Sequence, residues 1–144
     1  MASHEEVLAL HRYFLQANQM RVYYDNRLAQ EGVASVDDDR WAQQWIDMCL
    51  WYACLYIVIE GWKQLDLSDD GVDALLASPS VGLLRRFRNG VVHFQPTYWD
   101  DRFSEFLYEG QGAAAWARAV NQAMGRYFLG WFQAERGRDG PGLD

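Results

Sequence analysis

The sequence predicts an all-α protein, and three observations carry that prediction. Apolar residues recur at three- and four-residue steps along most of the chain, residue types that start and stop helices bracket each periodic run, and no run alternates as a half-buried strand does. The expected architecture is a helical bundle of three long helices plus two or three short ones. It forms a single domain over residues 1–136, and the Gly-, Pro- and charge-rich residues 137–144 are expected to fray.

Each element follows from local residue types. Ser3 with Glu6 three residues later is a capping box that opens the first helix. Val7, Leu10, Phe14, Ala17, Tyr24 and Leu28 form its apolar stripe, and Gly32 is placed to end it. Asp37 or Asp38 can cap a second helix that reaches Leu65, about 40 Å at 1.5 Å per residue. Trp41, Trp45, Met48, Tyr52, Leu55, Ile59 and Trp62 mark one face of it. Leu50, Trp51 and Ile57 extend apolar character to its other faces, which predicts a helix enclosed by neighbours or by a second subunit.

Asp66 to Gly71 reads as a turn, and a short helix follows from Val72. Ser78-Pro79-Ser80 breaks that helix and opens the next, which carries Leu83, Leu84, Phe87, Val91 and Val92. Gln95-Pro96 stops it, because the residue before a proline disfavours helical angles. A connector containing Phe94, Tyr98 and Trp99 leads to a short helix over Phe103 to Tyr108. Gly110-Gln111-Gly112 separates this from a last long helix, Ala113 to Glu135, with Trp116, Val120, Ala123, Tyr127 and Trp131 as its buried stripe.

Composition narrows the function classes. Half of the 144 residues are apolar and only 3 are proline, which describes a folded chain with a real core. The 2 cysteines, Cys49 and Cys54, fall on different faces of one helix, so a disulfide between them is not expected and metal ligation lacks partners. The longest uncharged run, Met48 to Ile59, is shorter than the roughly 20 apolar residues a bilayer requires. With no secretory signal at the N-terminus, the cytoplasm is the default compartment. A net charge of −7 argues against a broad, non-specific grip on nucleic acid.

Two apparent sites dissolve on inspection. Asp66-Leu67-Ser68-Asp69-Asp70-Gly71 starts like a calcium loop, but the twelfth position, which requires a bidentate Glu, is Ala77. His4 and His11 lack the four-residue spacing of a helical zinc pair and read as surface residues. No Gly-rich phosphate loop, nucleophile elbow or metal-ligand cluster is present in the sequence, and no cofactor is implied.

What remains is Phe87-Arg88-Asn89-Gly90-Val91-Val92-His93. Arg88 offers a planar fork of donors suited to phosphate. His93 titrates near neutral pH and can give or take a proton. Asn89 and His93, four apart, project from one face if both are helical. Arg88 and His93, five apart, diverge by about 140°. Arg85, Arg86 and Arg102 lie close by in sequence, with Asp100 and Asp101 the nearest opposing charges, so the segment is locally basic within an acidic chain. Arg85, Arg86, Arg102 and Tyr98 are therefore candidate substrate-binding residues. Glu60, at the end of the apolar run, is a candidate partly buried carboxylate that pairs with and orients Arg88 or Arg86. Singly, each of these is also an ordinary helix-end residue: an Arg against the macrodipole, a His capping carbonyls, an Asn beside a Gly at a helix terminus.

Phe-Arg-Asn-x-x-Val-His in an all-helical chain resembles the signature of the HEPN superfamily, small helical bundles that carry an Arg, a polar residue directly after it and a His four to six residues further on. Arg88, Asn89 and His93 match that pattern, with Phe87 and Val92 fitting the flanking apolar positions. The resemblance implies a HEPN-like fold and a homodimeric, metal-independent endoribonuclease or RNA-binding domain, with Arg88, His93 and Asn89 in the catalytic roles. One His per subunit cannot serve at once as base and acid, so a composite site holding both copies of His93 is the natural arrangement. In the toxin branch of the superfamily, a Tyr two residues after the His is adenylylated by a partner nucleotidyltransferase. Gln95 occupies that place here and the nearest tyrosine, Tyr98, lies three residues later, which makes an antitoxin the weakest of the implied partners. Two other functions fit the same residues: a non-catalytic module that binds a nucleotide or other small anion, and a helical protein-interaction module acting through its aromatic surface.

Overall fold

The computed structural model describes residues 1–109 and 112–138, and these form an all-helical bundle with no strand. Helix α1 spans His4–Glu31, α2 Trp41–Gln64, α3 Asp70–Leu76, α4 Ser80–Val92, α5 Asp101–Ser104 and α6 Ala113–Arg138, with a π-helical turn at Glu105–Glu109 between the last two. Gly110, Gln111 and residues 139–144 lie outside the described residues, and with them most of the expected tail. Helix α6 itself continues to Arg138, two residues beyond the expected domain edge.

The capping box at Ser3 is formed as expected. The Glu6 amide donates to Ser3 Oγ (3.2 Å), and the Ser3 amide donates to a Glu6 carboxylate oxygen (2.7 Å). Gly32 ends α1 at φ +71°, a conformation that costs glycine little, and its N–H donates to the Leu28 carbonyl. The start of α2 differs from expectation. Asp38 is drawn into a pair with Arg40, accepting from both its amide and its guanidinium, and no side chain caps the helix at Arg40. Helix α2 therefore begins at Trp41. The same Arg40 guanidinium donates to the Glu31 carbonyl (2.9 Å), finishing α1, whose own last turn contains no basic residue. Buried Gln44 ties the α1–α2 connector by donating to the Gly32 carbonyl and accepting from the Ala34 amide.

Helix α2 is the centre of the bundle, packed chiefly on α1 and α4. Trp51, Tyr52, Leu55, Val58, Ile59 and Trp62 are almost fully enclosed. Within the single chain, Leu50 and Ile57 remain 43% and 38% exposed, so the neighbouring helices alone do not enclose every face. On α6 the buried stripe is Ala113, Ala117, Val120, Met124 and Phe128, with Ala123 beside it, and Trp116, Tyr127 and Trp131 flank it half-buried. Three indole N–H groups find acceptors across helix pairs, as enclosed donors must. Trp116 Nε1 donates to the Leu75 carbonyl (3.0 Å), Trp62 Nε1 to Asp73 (3.1 Å), and Trp51 Nε1 to Asn121 Oδ1 (2.9 Å). These three bonds join α6 to α3, α2 to α3, and α2 to α6.

A cluster of rings fixes α4. Phe87, fully buried, contacts Tyr52, Phe103, Phe106 and Trp45 with ring centroids 5.2–6.1 Å apart, mostly edge to face. Gly90 permits a close approach: a Cβ there would meet the Phe103 ring at 2.8 Å. It is helical and buried, so it packs α4 against α5 and does not mark a helix end.

Candidate functional site

Because Phe87 points into the core, the next residue in the helix turns toward the flank of α2. Arg88 lies along that flank, its guanidinium 4.6 Å from the centre of the Tyr56 ring. Its Nε donates to Asn89 Oδ1 (3.0 Å), and its terminal nitrogen lies 3.5 Å from a Glu60 carboxylate oxygen. Arg88 therefore pairs with Glu60 as one of the two expected alternatives, and Asn89 contacts the guanidinium, not the imidazole. The expected partial burial of Glu60 does not hold: its side chain is 56% exposed, against 22% for Arg88. Glu60 falls at the outer edge of α2, where water reaches it, and the pair is correspondingly loose.

Arg86 meets Glu105 of the π turn, its Nε at 2.6 Å and Nη2 at 3.3 Å from the two carboxylate oxygens. Arg102 donates to both oxygens of Asp100 (3.0 and 3.1 Å) and to Gln95 Oε1 (3.0 Å). The Asp100 carboxyl is held below its usual range, chiefly by the Arg102 backbone amide that it accepts from as the cap of α5. Arg85 is exposed and has no carboxylate partner among the described residues. The local basicity read from the sequence is thus offset in three dimensions. Glu60 and Glu105, distant from the motif in sequence, are brought to it by helix packing, and three of the four arginines face a carboxylate.

His93 leaves the helix. Its N–H still donates to the Asn89 carbonyl (3.1 Å), but its backbone is extended at φ −123° and ψ 127°. That φ differs by about 60° from a helical value, so the imidazole is swung away from the face it would share with Asn89, and the 140° splay from Arg88 expected of a continuous helix does not apply. The chain breaks two residues before Gln95, turning toward Pro96, and Gln95 Nε2 closes the turn on the His93 carbonyl (3.0 Å). The His93 side chain is exposed and makes no hydrogen bond or ion pair among the described residues. One arginine fixed on a helix flank and one free imidazole at the end of the same helix are what a single chain brings together. Tyr98 is exposed beyond them, its ring stacked on Trp41.

The other titratable groups have structural settings. Asp69 caps α3, accepting from the Val72 amide, and Asp73 accepts from Trp62, Ser68 and the Asp69 amide, so the calcium-like run supplies caps as expected. His4 lies 3.3 Å from Glu135 and is exposed. His11 is not a surface residue: it is half-buried between Phe14, Phe128 and Phe132, and burial lowers its pKa. Cys49 and Cys54 are both free. Burial pushes the Cys49 thiol up to about 12 and also raises Cys54, which makes both poor nucleophiles. Among the described residues no three His, Cys, Asp or Glu side chains converge as metal ligands, and no helix is long and apolar enough to cross a membrane. Comparison with protein-family models, with curated proteins and with solved structures gives no match.

Proposed function

We propose that this chain is a HEPN-like endoribonuclease domain that works as a homodimer, with Arg88, Asn89 and His93 of two copies forming one site. The observation that carries the reading is the contrast between a restrained Arg88, held by Tyr56, Asn89 and Glu60, and a solvent-facing His93 with no hydrogen-bond or ion-pair partner among the described residues. A guanidinium loosely paired with an exposed carboxylate can exchange Glu60 for a phosphate oxygen and present the same fork to it. RNA supplies its own nucleophile. One His93 removes the proton of the 2′-hydroxyl as O2′ attacks phosphorus, the P–O5′ bond breaks, and the second His93 protonates the departing O5′, leaving a 2′,3′-cyclic phosphate and a 5′-hydroxyl. Arg88 offsets the charge that develops on the phosphoryl oxygens. No step of this scheme calls for a metal ion.

Purified protein is expected to cleave RNA in the presence of EDTA. His93→Ala should lower the rate by at least the roughly hundredfold that general acid–base catalysis contributes. Unchanged cleavage by His93→Ala would overturn the catalytic assignment.

A second reading is favoured by the pairing of Arg86, Arg88 and Arg102 with carboxylates, which offsets much of the local positive charge that a long strand would need. In it, the chain is a non-catalytic module that holds a nucleotide or other small anion at Arg88. Nucleotide binding that is lost in Arg88→Ala, together with no RNA turnover by the wild type, would select this reading over the enzyme.

A further inference from the structure

Helices α1 and α2 run antiparallel, with Leu10 lying directly over Gly61 and Gln16 Nε2 donating to Cys54 Sγ (3.6 Å) further along. Around the Leu10–Gly61 contact the surface opens into a groove of about 460 Å³. Leu10, Tyr13, Ile57 and Leu65 supply its apolar surface, and Tyr13 and Ile57 are left 41% and 38% exposed there. Two carboxylates line the same groove, Glu6 from α1 and Glu60 from α2. Among the described residues no Lys, Arg or His lines it, and Arg12, which lies over the Tyr13 ring, is not part of the lining.

Both carboxylates can accept more than they do. One Glu6 oxygen accepts from the Ser3 amide, and the other has no hydrogen-bond donor among the described residues. Glu60 accepts no hydrogen bond among them, and its 3.5 Å ion pair with Arg88 is made by a side chain 56% exposed. The Leu10–Gly61 contact sets Glu6 four residues to one side and Glu60 one residue to the other. The two are therefore offset by about 7–8 Å along the helix axes. An apolar occupant would cover these carboxylates without pairing them, which is costly. A metal ion needs converging ligands, and no three such side chains converge among the described residues. An aliphatic chain with an ammonium at each end meets both requirements, its methylenes on Leu10, Tyr13 and Ile57 and one charge for each carboxylate. The volume falls within the roughly 300–1,000 Å³ of small-molecule sites.

We infer that the groove between α1 and α2 binds an aliphatic diamine, its two ammonium groups paired with Glu6 and Glu60. Glu60 is also the carboxylate partner of Arg88, so the diamine and the guanidinium compete for it. Occupancy of the groove loosens Arg88, and by reciprocity whatever draws Arg88 away from Glu60 tightens the diamine. The groove belongs to α1 and α2 and binds its ligand whether or not the chain cleaves RNA.

The test titrates diaminopentane into isotope-labelled protein and follows the amide resonances by NMR. Shifts should concentrate on the groove, and binding should weaken as salt is added. Pentylamine, with one ammonium, should bind about two- to fivefold more weakly, and pentanediol, with none, more weakly still. Glu60→Gln should cost about two- to fivefold, and so should Glu6→Gln, whose side chain can still complete the capping box. Arg88→Ala, which removes the competitor for Glu60, should bind more tightly than the wild type. Asp37→Asn, which removes an exposed charge outside the groove, should bind as the wild type does. Pentanediol that binds as well as the diamine would make the groove merely apolar and overturn the site. So would no binding, shifts that avoid the groove, or an equal loss in Asp37→Asn, the mark of diffuse attraction to an acidic chain. Unchanged affinity in Arg88→Ala would overturn the competition for Glu60. The ligand series uses the wild type alone, so it decides the site even where a variant fails to fold.

Discussion

At the scale of single residues, two glycines of α4 show how position decides the sign of one substitution. Gly82 has open space where a Cβ would go, so Gly82→Ala removes a backbone freedom that folding must restrict and adds helix propensity. It should stabilise the protein by about 0.5–1 kcal/mol. Gly90→Ala gains the same propensity, about 1 kcal/mol, but its methyl meets the Phe103 ring at 2.8 Å, and that ring is itself packed on Phe87 and Trp45. Overpacking of this kind costs about 1–3 kcal/mol, so the net effect should be a loss of up to about 2 kcal/mol. Thermal or urea unfolding of the two variants should shift in opposite directions. A stabilised Gly90→Ala would show that Phe103 moves freely and that the seating of α5 on the motif helix is not tight. Within the motif, the sequence left Glu60 to pair with either Arg88 or Arg86, and it could not say that Asn89 would hold the arginine.

At the scale of elements, the seam between α1 and α6 carries a pH dependence. His11 is pressed among Phe14, Phe128 and Phe132, where desolvation favours its neutral form and lowers its pKa from 6.5. The unfolded chain therefore takes up a proton before the folded one does as pH falls. The contribution of neutral His11 to stability is complete above about 6.5 and is lost as pH drops from there through the folded pKa. Denaturant unfolding on either side of that value should show a decline toward acid that is smaller in His11→Leu. An identical decline in both proteins would place the titrating group elsewhere. The first two helices also show where local signals suffice. The capping box and the terminal glycine of α1 act within one turn of backbone, so both were legible in the sequence. The start of α2 was not, because Arg40 competes for Asp38 and reaches back to the end of α1.

At the scale of the whole molecule, the proposed chemistry requires more than one chain. A single His93 cannot take one proton and give another in the same step, and it shares no bond with Arg88 within the subunit. Light scattering at micromolar concentration should therefore give the mass of two chains. A monomer that retained RNA cleavage would refute the composite site while leaving Arg88 and His93 as its residues. The charge of the site belongs to this scale as well. Four arginines close in sequence read as a basic patch, yet packing brings Glu60 from α2 and Glu105 from the π turn to meet two of them.

The sequence by itself determined the helical class, the order and approximate bounds of the elements, the caps of α1 and the identity of the motif residues. These depend on periodicity and on hydrogen bonds that span a few residues. Only the tertiary structure decided which face of α6 is buried, that Leu50 and Ile57 stay partly open, and that His11 lies in a seam. It also decided that His93 stands outside its helix on an aromatic loop and that the motif's arginines are largely compensated. Each of these depends on what a distant segment places opposite a residue: an indole N–H in search of an acceptor, a ring that needs a glycine, a carboxylate carried in on another helix. No local pattern encodes those pairings, and only the folded chain displays them.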